Sequence, residues 1–99
     1  MPITVPGVSE PTARRRIRAH GRVQGVFFRD SLRREAEARG VAGWASNEAD
    51  GTVAAVLEGV PADVDALVEL CRRGPGHAAV ERLEVDEEAP EGLRGFEVR

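Results

Sequence analysis

Two glycines and an arginine at regular spacing form the segment of this sequence with the clearest chemical meaning. Gly21 and Gly25 lie four residues apart, and Arg29 follows after another four. Glycine permits backbone conformations that turn successive N–H groups toward one point, and such concave arrangements bind anions. If a helix begins here, its free N–H groups favour an anion as well, and an arginine in its first turn can grip two phosphate oxygens. The segment therefore predicts an anion site suited to a phosphate group.

The composition removes several usual ways of handling phosphate. All 14 basic residues are Arg and none is Lys, which excludes a Walker-type loop and Schiff-base chemistry because both need the lysine amine. The single cysteine, Cys71, has His77 rather than an arginine six positions later, so a cysteine-dependent phosphatase is not indicated. With one Cys and two His, the sequence predicts no metal site.

Hydrophobic periodicity predicts four strands and two helices that could position this segment. The predicted strands cover residues 16–20, 41–47, 52–58 and a region around 80–85. The predicted helices cover residues 28–39, where apolar residues recur every fourth position, and the region from Pro61 to the Gly74-Pro75-Gly76 stop. Asp50-Gly51 marks a hairpin turn between the second and third strands.

This order is β-α-β-β-α-β, with a short last strand near Phe96 and Val98. It predicts an α+β, ferredoxin-like split β-α-β sandwich, in which an antiparallel sheet carries two helices on one face. Residues 1–13 contain three prolines and no usable periodicity, so they predict a flexible N-terminal tail. Residues 14–99 then form a single domain.

Several residues outside the glycine segment receive structural interpretations. Trp44 is expected in the core, and Cys71 is expected to be a buried residue of the second helix. Residues 14–16, all arginine, are interpreted as a solvated entry to the first strand, and residues 86–92 as a solvated acidic connection.

The segment Gly-Arg-Val-Gln-Gly-Val-Phe-Phe-Arg, residues 21–29, resembles the signature of the acylphosphatase family. A second block also resembles that family: Gly43-Trp44-Ala45-Ser46-Asn47, followed by Asp50-Gly51-Thr52-Val53. The spacing between the two blocks fits as well. The resemblance runs from about Arg16 to Arg99 and implies the same ferredoxin-like fold.

By this resemblance, the protein is a hydrolase that cleaves acyl phosphates to a carboxylate and inorganic phosphate, without a metal or another cofactor. The catalytic residues would be Arg29, which binds phosphate, and Asn47, which positions the attacking water. The phosphate-binding residues, which contribute backbone N–H groups and the Arg29 guanidinium, would be Arg22, Val23, Gln24, Gly25, Val26 and Arg29.

Two other functions share this predicted fold. A non-catalytic module could bind a phosphorylated small molecule or a partner, but binding alone does not need the water-positioning amide of Asn47. An RNA-binding domain would need exposed aromatics and basic charge, whereas the chain has three Phe, one Trp, no Tyr and a net charge of −3. We therefore expect a small-molecule substrate, no nucleic acid, no membrane span, a monomer and a cytoplasmic location.

Overall fold

The computed structural model describes residues 12–99, and its elements follow the predicted order. The strands are β1 (Ala13–Arg22), β2 (Ala42–Asn47), β3 (Val53–Gly59), β4 (Ala79–Glu88) and β5 (Phe96–Val98). The helices are α1 (Phe28–Arg39) and α2 (Pro61–Arg73). Most of the predicted tail, residues 1–11, lies outside the described residues. Within the part that is described, neither helix has the length and apolar character needed to cross a membrane.

The sheet has the strand order β4-β1-β3-β2-β5. The first four strands in this order are antiparallel to their neighbours, which confirms the predicted split β-α-β arrangement. The short β5 runs parallel to β2, so the complete sheet is mixed. Since β4 and β5 lie at opposite edges, the chain between them must cross from one side of the sheet to the other.

The core lies between the helices and one face of the sheet. Phe28, Leu32 and Ala36 form the buried stripe of α1, as their spacing predicts. The buried stripe of α2 consists of Val64, Leu67, Val68 and Cys71. Burying a side chain the size of Leu32 contributes about 1.5–3 kcal/mol. Cys71 is fully buried as predicted, and burial raises the pKa of its thiol to about 12, so it is held as an unreactive thiol.

The expectation that Trp44 joins this core is wrong. Strand alternation directs Gly43 and Ala45, which are buried, to the helix side and places Trp44 on the opposite face. There its ring is half-buried, with the guanidinium carbon of Arg16 at 5.6 Å and that of Arg99 at 4.6 Å from the ring centroid. Trp44 therefore packs against cations rather than against the apolar core.

The interpretation of residues 86–88 as a loop is wrong, because they end β4, although Asp86 and Glu87 are exposed as expected. In the predicted solvated entry at residues 14–16, Arg14 is instead buried. The register pairs Arg14 with Glu88, Arg15 with Glu87, and Arg16 with Asp86. Opposite charges directly across a strand pair stabilise it. Hydrophobic periodicity within either segment could not reveal this pairing, because the paired residues are far apart in the sequence: Arg14 and Glu88 are separated by more than 70 positions.

The segment that crosses between β4 and β5 is held by a buried carboxylate on the central strand. Glu58, only 3% exposed, accepts hydrogen bonds from the backbone N–H groups of Glu91, Gly92 and Leu93 at 3.1, 2.6 and 2.9 Å. Arg14 Nη1 donates a further bond at 3.0 Å. Burial acts to raise the pKa of this carboxyl, but the four hydrogen bonds outweigh burial and hold its pKa below the ordinary value.

Candidate active site

The loop between β1 and α1, residues 23–27, is called the Gly25 loop below. Val23 and Val26 are buried and anchor it in the core, whereas Gly25 between them is exposed. Gly25 has a φ of 72°, and a Cβ built there would meet nothing within 4 Å. Glycine is thus required here for the backbone conformation, and the space in front of it is open to a ligand.

At Gly21, where β1 leads into this loop, glycine is needed for a steric reason as well. Its φ is 124°, and a Cβ there would lie 2.4 Å from the carbonyl oxygen of Ala79 in β4. The register between β1 and β4 also shifts between His20 and Gly21. The close approach of β4 therefore needs a glycine, at the point where the pairing of the two strands is irregular.

The start of α1 offers a group of free hydrogen-bond donors. Within residues 12–99, the backbone N–H groups of residues 24–30 have no hydrogen-bond acceptor. The first bond of the helix runs from Ser31 N to Phe27 O at 3.0 Å, and no side chain caps the helix start. Free N–H groups together with the positive end of the helix dipole make a binding site for an anion.

These donors border a cleft of about 270 Å³ that brings together residues from three parts of the chain. Its lining residues are Val23, Gly25, Phe27, Phe28, Arg29, Asp30, Asn47 and Val98. Arg29 and Asn47 therefore face one cleft, although they are 18 positions apart in the sequence. Of the other predicted phosphate-binding residues, Val23 and Gly25 line the cleft, while Arg22, Gln24 and Val26 flank it.

Arg29 lies in the first turn of α1, and its guanidinium is oriented by Arg99, which follows β5. Nη1 donates a hydrogen bond to the main-chain oxygen of Arg99. The remaining guanidinium N–H groups have no acceptor among the described residues, so they can serve a ligand. This contact explains why β5, although only three residues long, matters to the site.

The carboxylate of Asp30 also borders the cleft, where its charge would oppose that of a phosphate. Both of its oxygens, however, accept bonds of 2.7 Å from Arg34 and Arg33. The hydrogen bond from Arg34 is the main cause of the lowered pKa of this carboxyl. Asp30 is therefore an ionised, paired group and not a free general base.

Asn47 ends β2 at the start of a well-ordered hairpin, opposite Val53 in β3. Glu48 N donates to Thr52 O at 2.8 Å, and both the N–H and the hydroxyl of Thr52 donate to Asp50 Oδ1. The Asn47 carboxamide is exposed and has no hydrogen-bond partner among the described residues. A rigid hairpin thus presents a free amide, which can both donate and accept, to the cleft.

The side chain of Gln24 links the Gly25 loop to this hairpin. Nε2 donates to the carbonyl oxygens of Glu48 at 2.8 Å and Thr52 at 2.9 Å. The sequence indicated only a backbone role for Gln24, because its side-chain partners lie 24 and 28 residues away and no local pattern points to them. Gln24 fixes the distance between the free N–H groups and Asn47.

We expect Gln24→Ala to weaken any reaction catalysed in this cleft without unfolding the protein. Both bonds between the Gly25 loop and the hairpin are lost, so the loop and Asn47 no longer hold one relative position, and a misplacement of about 1 Å can cost a hundredfold in rate. Steady-state kinetics should show a higher KM and a lower kcat. Gln24→Glu has the same length but cannot donate to the two carbonyl groups, so it should be no better; full activity in either variant would contradict this role.

Comparison with known proteins agrees with this geometry. A family model described as acylphosphatase matches residues 15–98, which include the Gly25 loop, Arg29 and Asn47. The chain belongs to the acylphosphatase family. A curated acylphosphatase from Rubrobacter xylanophilus is 58% identical over 89 residues, covering 89% of this chain and 81% of that protein. The chain is accordingly an enzyme that hydrolyses acyl phosphates.

Solved acylphosphatase structures have the same fold. An acylphosphatase from Coxiella burnetii superposes with a TM-score of 0.84 at 35% identity, covering 89% of this chain and 93% of that one. The acylphosphatase from Bacillus subtilis gives 0.83 at 35% identity, covering 88% and 98%. The predicted ferredoxin-like fold and the predicted family are therefore both confirmed.

Proposed function

We propose that this enzyme hydrolyses acyl phosphates without a metal, with the phosphate held by the Gly25 loop and Arg29 and the attacking water positioned by Asn47. The observation that carries the proposal is the meeting of three donor types in one cleft: free backbone N–H groups, a guanidinium and a free carboxamide. Each element is held by a contact that is distant in sequence, which favours a preorganised site.

Phosphate binding follows from the charges and donors available. A phosphate dianion beside Gly25 would accept bonds from the N–H groups of residues 24–30, and the Arg29 guanidinium could donate two parallel bonds to its oxygens. The same donors would stabilise the charge that spreads over the equatorial oxygens in the transition state. Because these groups are fixed before substrate binds, little reorganisation accompanies the reaction.

The chemical step needs little more than a positioned water. The water oxygen attacks phosphorus, the bond from phosphorus to the acyl oxygen breaks, and the bonding electrons leave with the carboxylate. A carboxylate is a good leaving group, so no general acid is required. Asn47 would orient the water, and a phosphate oxygen of the substrate would take its proton, since Asp30, the only carboxylate among the described residues that line the cleft, is paired with two arginines.

The metal-free part of the proposal is supported by the side chains present. Among residues 12–99, no three His, Cys, Asp or Glu side chains are grouped as metal ligands. Since the cleft is built within one chain, we also propose that the enzyme acts as a monomer on small-molecule substrates. The sheet face opposite the helices offers nucleic acid little, because the arginines there pair with carboxylates and the ring of Trp44 is contacted by Arg16 and Arg99.

The proposal is tested by phosphate release from benzoyl phosphate and acetyl phosphate, measured against the uncatalysed rate. We expect hydrolysis of at least one substrate well above that rate, and the same kcat in the presence of a chelator. Loss of activity with the chelator would contradict the metal-free reaction. Absence of hydrolysis of both substrates would defeat the proposed function as a whole.

The role of Asn47 has its own test. Asn47→Ala removes the group that orients the water, and we expect kcat to fall by about a hundredfold or more. Binding of inorganic phosphate, measured as competitive inhibition, should change much less, because the loop and Arg29 remain. If Asn47→Ala instead keeps full kcat, or loses phosphate binding in proportion to kcat, then Asn47 does not position the water.

A further inference from the structure

Phe27, at the mouth of the cleft, has a backbone conformation that is costly for its residue type. Its φ is 64° and its ψ is 21°, and it is the one non-glycine residue with positive φ among residues 12–99. A side chain with a Cβ is strained in this left-handed region, whereas glycine adopts it freely. Strain of this kind persists at functional sites when the surroundings enforce it.

Neighbouring segments hold the backbone of Phe27 in this left-handed conformation. Its carbonyl oxygen accepts the first hydrogen bond of α1, and the preceding carbonyl, of Val26, accepts a bond from His77 N at 3.1 Å. Gly76 lies so close behind the loop that a Cβ there would be 2.8 Å from Val26 O and 3.2 Å from Phe27 O. The segment after α2 therefore packs directly against the loop and keeps Phe27 in this conformation.

The phenyl ring of Phe27 does not stabilise the fold by burial in the core. It is 67% exposed and is absent from the core, unlike its neighbour Phe28, which is fully buried. Its ring meets the His77 ring edge-on, with centroids 6.3 Å apart and an interplanar angle of 66°. Glycine would relieve the strain and a polar side chain would suit the exposure, so neither the backbone nor the core accounts for a phenylalanine.

The ring does have a position that bears on substrate. Phe27 lines the cleft that contains Arg29 and Asn47, and it also lines an adjoining open pocket of about 280 Å³ with Ser31, Arg34, Gly76 and His77. A phosphate bound at the Gly25 loop must direct its acyl group outward, away from the loop. Phe27 is the exposed aromatic side chain that lines both the cleft and the adjoining pocket, with the His77 ring at its edge.

We propose that Phe27, supported by His77, forms a subsite for an aromatic acyl group, so that this enzyme prefers aromatic to short aliphatic acyl phosphates. The inference rests on the proposed function and specifies its substrate class. Aromatic rings attract one another in offset-stacked and edge-to-face arrangements beyond their apolar contact. The edge-on contact with His77 restricts the Phe27 ring, so a substrate ring can pack against it with a smaller loss of side-chain freedom.

The test is the ratio of kcat/KM for benzoyl phosphate to kcat/KM for acetyl phosphate. In Phe27→Gly, which also relieves the backbone strain, we expect this ratio to fall about threefold to tenfold. Phe27→Leu, apolar but not aromatic, should give an intermediate ratio, and His77→Ala a smaller decrease. Val60→Ala, at an exposed apolar residue away from the cleft, should keep the wild-type ratio.

Each outcome separates this inference from the proposed function. An unchanged ratio in Phe27→Gly overturns the subsite, and a full wild-type ratio in Phe27→Leu overturns its aromatic character. Wild-type protein that hydrolyses neither substrate defeats the proposed function instead. Thermal unfolding controls for structure: Phe27→Gly should melt close to the wild-type temperature, because relief of the strain offsets the larger backbone entropy that glycine gives the unfolded chain, so a lower ratio in that variant reflects the lost ring rather than a damaged fold.

Discussion

Arg29→Ala is expected to lower kcat/KM for benzoyl phosphate by about a thousandfold or more. In the proposed mechanism the guanidinium binds the phosphate in the ground state and stabilises its charge in the transition state. The variant should therefore have a higher KM and a lower kcat. Backbone N–H groups cannot replace it, because they carry only partial charges. Inhibition by inorganic phosphate should weaken in parallel, and this separates loss of binding from loss of fold.

Two further variants sharpen this expectation. Arg29→Lys keeps the positive charge but loses the planar fork that matches two phosphate oxygens, so it should recover only part of the activity. Arg72→Ala removes an exposed arginine of α2 that pairs with Glu69 at 3.4 Å, and it should leave activity unchanged. If Arg29→Ala stays within about threefold of the wild type, Arg29 has no role in transition-state stabilisation.

The position of Arg29 depends on contacts that are far apart in the chain. Its guanidinium donates to Arg99, which follows β5. β5 reaches the edge of β2 only after the chain has crossed the sheet, and that crossing is held by Glu58 on β3. The site is therefore supported on one side by the side chain of Gln24 and on the other by the Glu58 contacts, although neither residue lines the cleft.

The sequence predicted those features that are encoded locally. The bounds of α1 agree at both ends, because a stripe of every fourth residue and a terminal glycine, Gly40 with φ of 67°, act within one helix. The meeting of Arg29 and Asn47 in one cleft was predicted as well, since the resemblance supplied both motifs and the fold that joins them. Local spacing and family pattern were sufficient here.

Features that depend on pairing between distant segments were missed. The carbonyl partners of Gln24, the burial of Arg14 against Glu58, and the parallel pairing of β5 all join residues that no local window contains. Trp44 was misassigned for a related reason: its size suggests the core, but which face of β2 meets the helices depends on the register with β3. Long-range register is what the sequence did not reveal.

Glu58→Gln is expected to reduce the free energy of unfolding by about 3 kcal/mol at pH 7. The amide keeps the shape of the side chain but loses the charge, so Arg14, which is 3% exposed, is left in the interior without its closest buried partner. The N–H groups of residues 91–93 also lose a strong acceptor. Urea denaturation should show this loss, whereas Glu87→Gln, at an 81% exposed side chain that pairs with Arg15 at 3.4 Å, should change stability by about 0.5 kcal/mol or less.

The pH dependence of that difference identifies its cause. The pKa of Glu58 is lowered in the folded protein, so the stability contributed by its charge is fully present above the ordinary pKa of a glutamate and is lost as pH falls through the folded pKa. Wild type and Glu58→Gln should therefore differ most at neutral pH and converge as the pH falls through the lowered pKa of Glu58, where the carboxyl becomes protonated and uncharged like the amide. A difference that stays constant from pH 7 down to the lowest pH at which both proteins fold would mean that the shape of the residue, and not its charge, holds the crossing segment.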